Sequence, residues 1–242
     1  NTTGLVTATS VATLTGTAAA INTLVGNEGD SGDKVNLDSD YVATLSDTTI
    51  TATVLNAVDG NVPGTVNAST VATITGSAAD INTAYASSGF SGLGDEAVTI
   101  DDTSIAASVL NTLNSNTTGL VTATSVATLT GTASAITTLI GNEGNSGDKV
   151  NLDGDFAITI NSGTATVAQV NSYGSATTGV ITATISDQTI AALDDLTTSN
   201  SDQLTITVAS TSATASQLTT VAGATGLNVT ATAVETVTGT AT

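Results

Sequence analysis

The carboxylates are the side chains in this sequence most evidently spaced for chemistry. The stretch GNEGDSGDKVNLDSD carries Glu28, Asp30, Asp33, Asp38 and Asp40, and a copy of it further along carries Glu143, Asp148, Asp153 and Asp155, with Asn145 in place of Asp30. Calcium takes about six to eight hard oxygen ligands, and a glycine-rich loop with spaced carboxylates supplies them together with backbone carbonyls. These residues are therefore the candidate metal ligands, and calcium is the candidate cofactor. The spacing matches neither the EF-hand loop nor the GGxGxD nonapeptide, so a solvated acidic loop is the competing reading. Asp95, Glu96, Asp101 and Asp102 form a weaker cluster.

Other chemistry has little to work with. The chain has no His, Cys or Arg, which removes the usual proton shuttle, thiolate nucleophile and anion clamp. Lys34 and Lys149, the only lysines, sit at equivalent places beside Asp33 and Asp148, where a local ion pair would ease carboxylate repulsion. Paired carboxylates for glycoside cleavage remain formally available. An active site grafted on once would not be duplicated with its scaffold, however, and the acidic residues here repeat; no enzymatic activity is expected. Thr-x-Thr phrases (Thr7/Thr9, Thr51/Thr53, Thr122/Thr124, Thr164/Thr166, Thr182/Thr184, Thr205/Thr207, Thr230/Thr232) would give flat threonine ranks if stacked on one sheet face. Threonine is also simply a good polar strand former.

Composition narrows the partners. A formal net charge of −19, from two Lys against 21 acidic residues, excludes phosphate neutralisation and so nucleic-acid binding. Docking on anionic membranes fails for the same reason, and no apolar run approaches the ~20 residues that span a bilayer. With three Tyr, two Phe and no Trp or Met, the interior must be filled by Val, Ile, Leu and Ala, which suits thin regular layers.

The elements that would position these residues are repeated. Residues 116–133 copy residues 1–18 letter for letter, and residues 1–41 differ from 116–156 at only six places. The period is 115 residues, and Gly226, Leu227, Val229, Thr230, Ala231 and Thr232 restart the opening phrase with one residue inserted. This divides the chain into a first long repeat (1–115), a second (116–225) and the start of a third (226–242), expected to form one continuous structure. Opening inside the pattern and closing in mid-phrase, the chain reads as a window of a longer protein or a processed subunit.

Within each long repeat a shorter phrase recurs four times, anchored on Ile21, Leu55, Ile81, Leu110, Ile136, Val170, Leu193 and Leu218, spaced 23 to 34 residues apart. A second aliphatic follows most anchors by three, and Ala often precedes by three, giving one stripe of a short helix. Thr17, Ser77 and Thr132 are N-cap candidates. Ser77/Asp80, Thr166/Gln169 and Thr214/Gln217 have capping-box spacing, and Gly26, Gly60, Gly141, Gly174 and Gly223 are the expected stops. Before each helix, alternating β-branched stretches such as Val6–Thr9, Val71–Ile74 and Leu204–Val208 predict half-buried strands.

Units of this size bury their faces by stacking. The predicted fold is a β-rich α/β solenoid of parallel layers with one short helix per 23–34-residue unit; tandem β-sandwich domains are the alternative. Stacked strands lie about 4.8 Å apart and helices rarely closer than about 8 Å. Either the coil curves or each unit contributes more than one strand layer.

The near-identical Thr/Ala/Gly/Asp-rich repeats, phrases such as TGTAxxINTL and VLNTL, and the scarcity of basic residues resemble giant repetitive cell-surface proteins of bacteria, adhesin-like or S-layer-like, closest to those of marine cyanobacteria. The resemblance spans the whole chain but rests on composition and repeat style. It implies export, an extracellular place on the cell surface, and a part in a surface layer, fibre or adhesin. The expected function is a structural module, a stalk, filament or surface-layer segment, that partners copies of itself or neighbouring repeats. The alternative is a binding module holding ice or glycan on a threonine-rich face.

Overall fold

The structure, a computed structural model, describes residues 3–239. Strands and helices alternate along the chain. The first segment is β1 (Val6–Ala8), β2 (Thr13–Gly16) and α1 (Ala18–Gly26); the second is β3 (Val35–Leu37), β4 (Val42–Leu45), β5 (Thr49–Thr51) and α2 (Ala52–Asn61). Next come β6 (Val66–Asn67), β7 (Thr73–Gly76) and α3 (Ala78–Ala86), then β8 (Phe90–Ser91), β9 (Ala97–Ile100), β10 (Ser104–Ala106) and α4 (Ala107–Asn116). The fifth segment holds β11 (Val121–Ala123), β12 (Thr128–Thr132) and α5 (Ala133–Gly141), and the sixth β13 (Val150–Leu152), β14 (Ala157–Ser162) and α6 (Val167–Ala176). The last are β15 (Ile181–Thr184) with α7 (Ile190–Leu193), β16 (Gln203–Thr205) and β17 (Ser212–Thr214) with α8 (Ala215–Gly223), and finally β18 (Thr236–Thr238).

The chain forms two compact units interleaved in sequence. One is drawn from residues up to Asp102, Thr112–Ala123 and Gly144–Asn151, the other from Thr103–Asn111, Thr124–Glu143 and Leu152 onward. The first unit carries the sheets β1-β3, β2-β4-β6-β8 and β5-β7-β9-β11-β13, with α1, α2 and α3 packed in succession. The second carries β10-β12-β14-β15-β16 and β17-β18, with α5 against α6 and α7 against α8. Every described register is parallel, as in β5 on β7 (Thr49↔Thr73, Ile50↔Ile74) and β12 on β14 (Leu129↔Ile158). Antiparallel β-sandwiches are thus not the arrangement; parallel α/β layers of a solenoid-like kind are.

The eight anchor residues each fall in one of the eight described helices, and all but the half-buried Leu218 are buried. The caps follow the sequence closely. Thr17, Ser77 and Thr132 accept from the N3 backbone N–H, and both Thr–Gln capping boxes form. At Ser77 the shorter Asp80 reaches only the serine hydroxyl (2.9 Å), one methylene short of the return bond to the backbone. The helix stops differ from expectation. Gly26, Gly141 and Gly223 are last helical residues rather than left-handed caps, Gly174 lies inside α6, and none of the five has positive φ. The last helical turns close on backbone bonds instead, such as Asn27 N–H to Leu24 O and Val62 N–H to Val58 O.

The conflict between strand and helix spacing is resolved by more strands and by stagger. Most segments contribute two or three strands, and a new column opens at β5 while β4 still pairs with β2 and β6. Thr51 pairs with Thr75 and directly caps α2, whereas Gly76 and Ser77 intervene before α3, so α3 starts two residues further along. Gly76, at φ +130°, carries the chain over the start of α2, where Ala52 lies 3.8 Å from a Cβ added at Gly76. Successive helices are offset along the strand direction, which relieves the packing that strand spacing alone would impose.

Candidate functional site

Three groups of polar residues stand out, namely the acidic loops, a buried carboxylate, and a set of bonds joining one layer to the next. In the first loop Glu28 bridges to Val35 and accepts, at 3.4 Å, from the buried Tyr41 hydroxyl, which also reaches Asn61 O at 3.4 Å. Burial, then the charge and hydrogen bond of Glu28, push the Tyr41 phenol up to about 12. Glu28 and Asp38 share a recess with Tyr41, Asn61 and Pro63. Asp38 accepts from the adjacent Ser39 N–H (2.7 Å), while Asp30, Asp33 and Asp40 are exposed. In the copy, Glu143 is half-buried and its carboxyl is pushed up by burial; Asp153 accepts from Gly154 N–H (2.7 Å), and Asp148 and Asp155 are exposed. Among the described residues no three Asp or Glu side chains converge on one point. The structure thus brings Glu28 and Asp38 to one recess and leaves the other predicted ligands apart. The stems of Lys34 and Lys149 lie over Gly29 and Gly144, their Cγ atoms 3.1 Å from where a Cβ would stand.

The weaker cluster divides as well. Glu96 is buried directly before β9, at the position that Tyr41 and Phe156 occupy before β4 and β14. Its Oε2 accepts from Tyr85 O–H (3.0 Å) and Gly94 N–H (2.9 Å), and Oε1 has no hydrogen-bond partner. Burial and the charge of Glu96 push the Tyr85 phenol far up. Two segments thus bury an aromatic ring from the strand entry, whereas this one enters with a carboxylate and takes its phenol from α3.

Asp102 does something else. Its Oδ2 accepts, at 2.7 Å, the N–H of Ala78, the first residue of α3. Asp47 does the same for Ala18 in α1 (2.7 Å) and Asp187 for Val167 in α6 (2.8 Å), with Ser210 Oγ taking Ile190 N–H in α7 (2.9 Å). Each helix start therefore has two partners, its own N-cap hydroxyl and a side chain from the following segment. A carboxylate there also meets the positive end of the helix dipole. The signal lay in the recurrence of SDTTI, DDTSI and SDQTI at 46–50, 101–105 and 186–190, which sequence reasoning had not connected with the preceding helices.

Asparagines join the helices. Asn56 Nδ2 donates to Asp80 O (2.9 Å), Asn61 to Asn22 Oδ1 (2.9 Å) and Asn116 to Asn82 Oδ1 (3.0 Å). In the second unit Asn111 donates to Ala135 O (2.9 Å) and Asn171 to Asp195 O (2.7 Å). Where the copy has Thr137 in place of Asn22, Tyr173 O–H donates to Ala133 O (2.8 Å) and lies 3.0 Å from Thr137 Oγ1. Buried threonines complete the set. Thr117, Thr177 and Thr225 donate to Glu96 O, Phe156 O and Leu204 O at 2.7, 2.6 and 2.9 Å.

Threonine ranks exist, though not from the expected pairs, since Thr53 lies in α2 and Thr9 and Thr124 in turns. One rank runs Thr51–Thr75–Thr99–Thr122 across β5, β7, β9 and β11; another runs Thr130–Thr159–Thr182 across β12, β14 and β15 and ends at Gln203. All seven threonines are exposed or half-buried. No helix among the described residues is long and apolar enough to cross a membrane. No family model matches the chain, and neither a curated protein nor a solved structure is significantly similar to it.

Proposed function

We propose that this chain is a structural repeat module of a secreted bacterial cell-surface protein, a stalk, filament or surface-layer segment whose work is length, cohesion and self-association. One observation carries the reading: the polar chemistry is spent between layers. Asp47, Asp102 and Asp187, the asparagine bridges and the buried threonines all bond a neighbouring segment. The chain is then one continuous solenoid of 23–34-residue units within the 115-residue period, extended by further layers of the same kind. Calcium is a ligand of the same proposal, in which the recess of Glu28 and Asp38 and its copy near Glu143 and Asp153 would draw in the remaining loop carboxylates.

Negative-stain electron microscopy with calcium and again after chelation tests this. Filaments or sheets that loosen on chelation are the expected result, and dispersed single particles under both conditions would refute it. The second reading, ice or glycan held on a threonine-rich face, is favoured only by the ranks through Thr51 and Thr130. Thermal hysteresis in solutions of the wild-type chain would support it, and its absence would remove the ice arm.

A further inference from the structure

The near-identical first and fifth segments place one sequence in two environments. In the fifth segment β11 lies between β9 and β13, and β12 between β10 and β14. Val121 sits over Val98 and Leu129 over Ile105, and Val121, Ala123, Val126, Leu129 and Leu139 are all buried. In the first segment β1 has only β3 beside it and β2 only β4. Val6, the counterpart of Val121, is 43 % exposed rather than 0 %, and Leu5 is 39 % exposed. Ala8, Val11 and Leu24 are half-buried where Ala123, Val126 and Leu139 are covered. At the other end of the sequence β18 has only β17 beside it, and Val237, the counterpart of Leu14, is 55 % exposed.

Both edges are charge-poor in a chain of net charge −19. Residues 3–27 and 203–234 hold no ionisable side chain, and Glu235 is the single acid beside β18. The internal contact of the fourth and fifth segments has the same property, with no charged residue from 103 to 142. An open parallel strand edge presents unpaired N–H and C=O groups, and a parallel strand of any compatible sequence can satisfy them.

Resting on the structural reading above, we infer that the open edge of β2 in one copy pairs, in parallel, with the open edge of β18 in a second copy. The contact is heterologous, so it does not exhaust itself in a dimer and propagates in one direction. Val237 and Val6 are then buried at each junction. The uncharged layers meet while the acidic loops stay clear of the contact.

The test is sedimentation velocity of the full chain and two variants, Val6→Asp and Val237→Asp, at roughly 1 M salt, where the Debye length is about 3 Å and the −19 charge is screened. Both valines are exposed, and far-UV circular dichroism confirms that each variant is folded. The wild type should form oligomers that grow with concentration. Each variant alone should associate at least about tenfold more weakly, since an aspartate buried without a partner costs more than the ~1.4 kcal/mol that a tenfold change represents. An equimolar mixture of the two should give dimers and stop there, because each variant retains one sound edge. A Val237→Asp variant that assembles like the wild type would overturn the inference, as would a mixture that grows beyond dimers or a wild type that stays monomeric. Filaments in the microscope that persist in both variants would overturn this contact while leaving the structural function in place.

Discussion

Replacing Asp47 by alanine removes a bond that belongs to two segments at once. Asp47 Oδ2 lies 2.7 Å from the N–H of Ala18, the first residue of α1, while the Thr17 hydroxyl, 3.3 Å from Ala20 N–H, serves a different amide. The variant therefore leaves one partly buried N–H without a protein partner and keeps the local cap. A hydrogen bond to a charged group contributes about 1.5–3 kcal/mol, and water reaching the half-buried site recovers part of it. The expected loss is about 1–2 kcal/mol, near the upper range for a helix cap. For a chain of this length that corresponds to a melting-temperature drop of about 2–8 °C. Asp47→Asn keeps an acceptor oxygen and loses only the charge against the helix dipole, about 0.3–1 kcal/mol. Asp30→Ala, in the exposed loop, should fall within about 0.5 kcal/mol of wild type. Urea unfolding followed by far-UV circular dichroism measures all three. If Asp47→Ala matched wild type, or if the asparagine variant lost as much as the alanine, the cross-segment cap would not be what holds α1 to its neighbour.

Other expectations can be checked with the same material. Gly119→Ala should destabilise by about 1–3 kcal/mol or more, because a Cβ there would meet Glu96 O at 2.2 Å, whereas Gly223→Ala, with nothing within 4 Å, should stabilise by about 0.4–1 kcal/mol; equal midpoint shifts in urea would contradict the close approach. Thr177→Val removes the hydroxyl that donates to Phe156 O and accepts from Gly179 N–H, and should cost about 1–3 kcal/mol in thermal unfolding. All three tyrosines are pushed up, Tyr41 to about 12 and Tyr85 and Tyr173 mainly by burial. A phenol raised above its unfolded value near 10 contributes stability that is whole below about pH 10 and lost as pH climbs through the folded value. Absorbance at the phenolate band should therefore show little ionisation at about pH 10 in the native protein, and a half-ionised native signal there would refute the burial argument.

Helix positions were legible in the sequence because each carries its own instructions. The Ala and anchor stripe, a Thr or Ser cap and in two cases a Gln three residues later are all local, and α1, α3, α5, α6 and α8 begin where those signals stand. The column arrangement was not legible, because β4 pairing with both β2 and β6 while β5 opens a new column depends on contacts between segments that no local period encodes. The glycine stops misled because Gly26 and Gly141 end helices with ordinary helical geometry, and the left-handed glycines Gly76 and Gly131 serve the stagger instead. Of the acidic residues, the loop carboxylates drew attention by their spacing, yet Asp102 proved to bond the start of α3, and Asp47 and Asp187, which stood alone in the sequence, do the same for α1 and α6. Their partners lie 20 to 29 residues away, a distance visible only once the segments are layered.

The central claim, that cohesion runs from layer to layer through stacked repeats, is tested most directly by pulling a single chain from its two ends. Segments of 23–34 residues should release in successive small steps of about 8–12 nm each, at about 3.3–3.6 Å per residue. Release of each 115-residue repeat as one event of about 40 nm would show independent domains and contradict it.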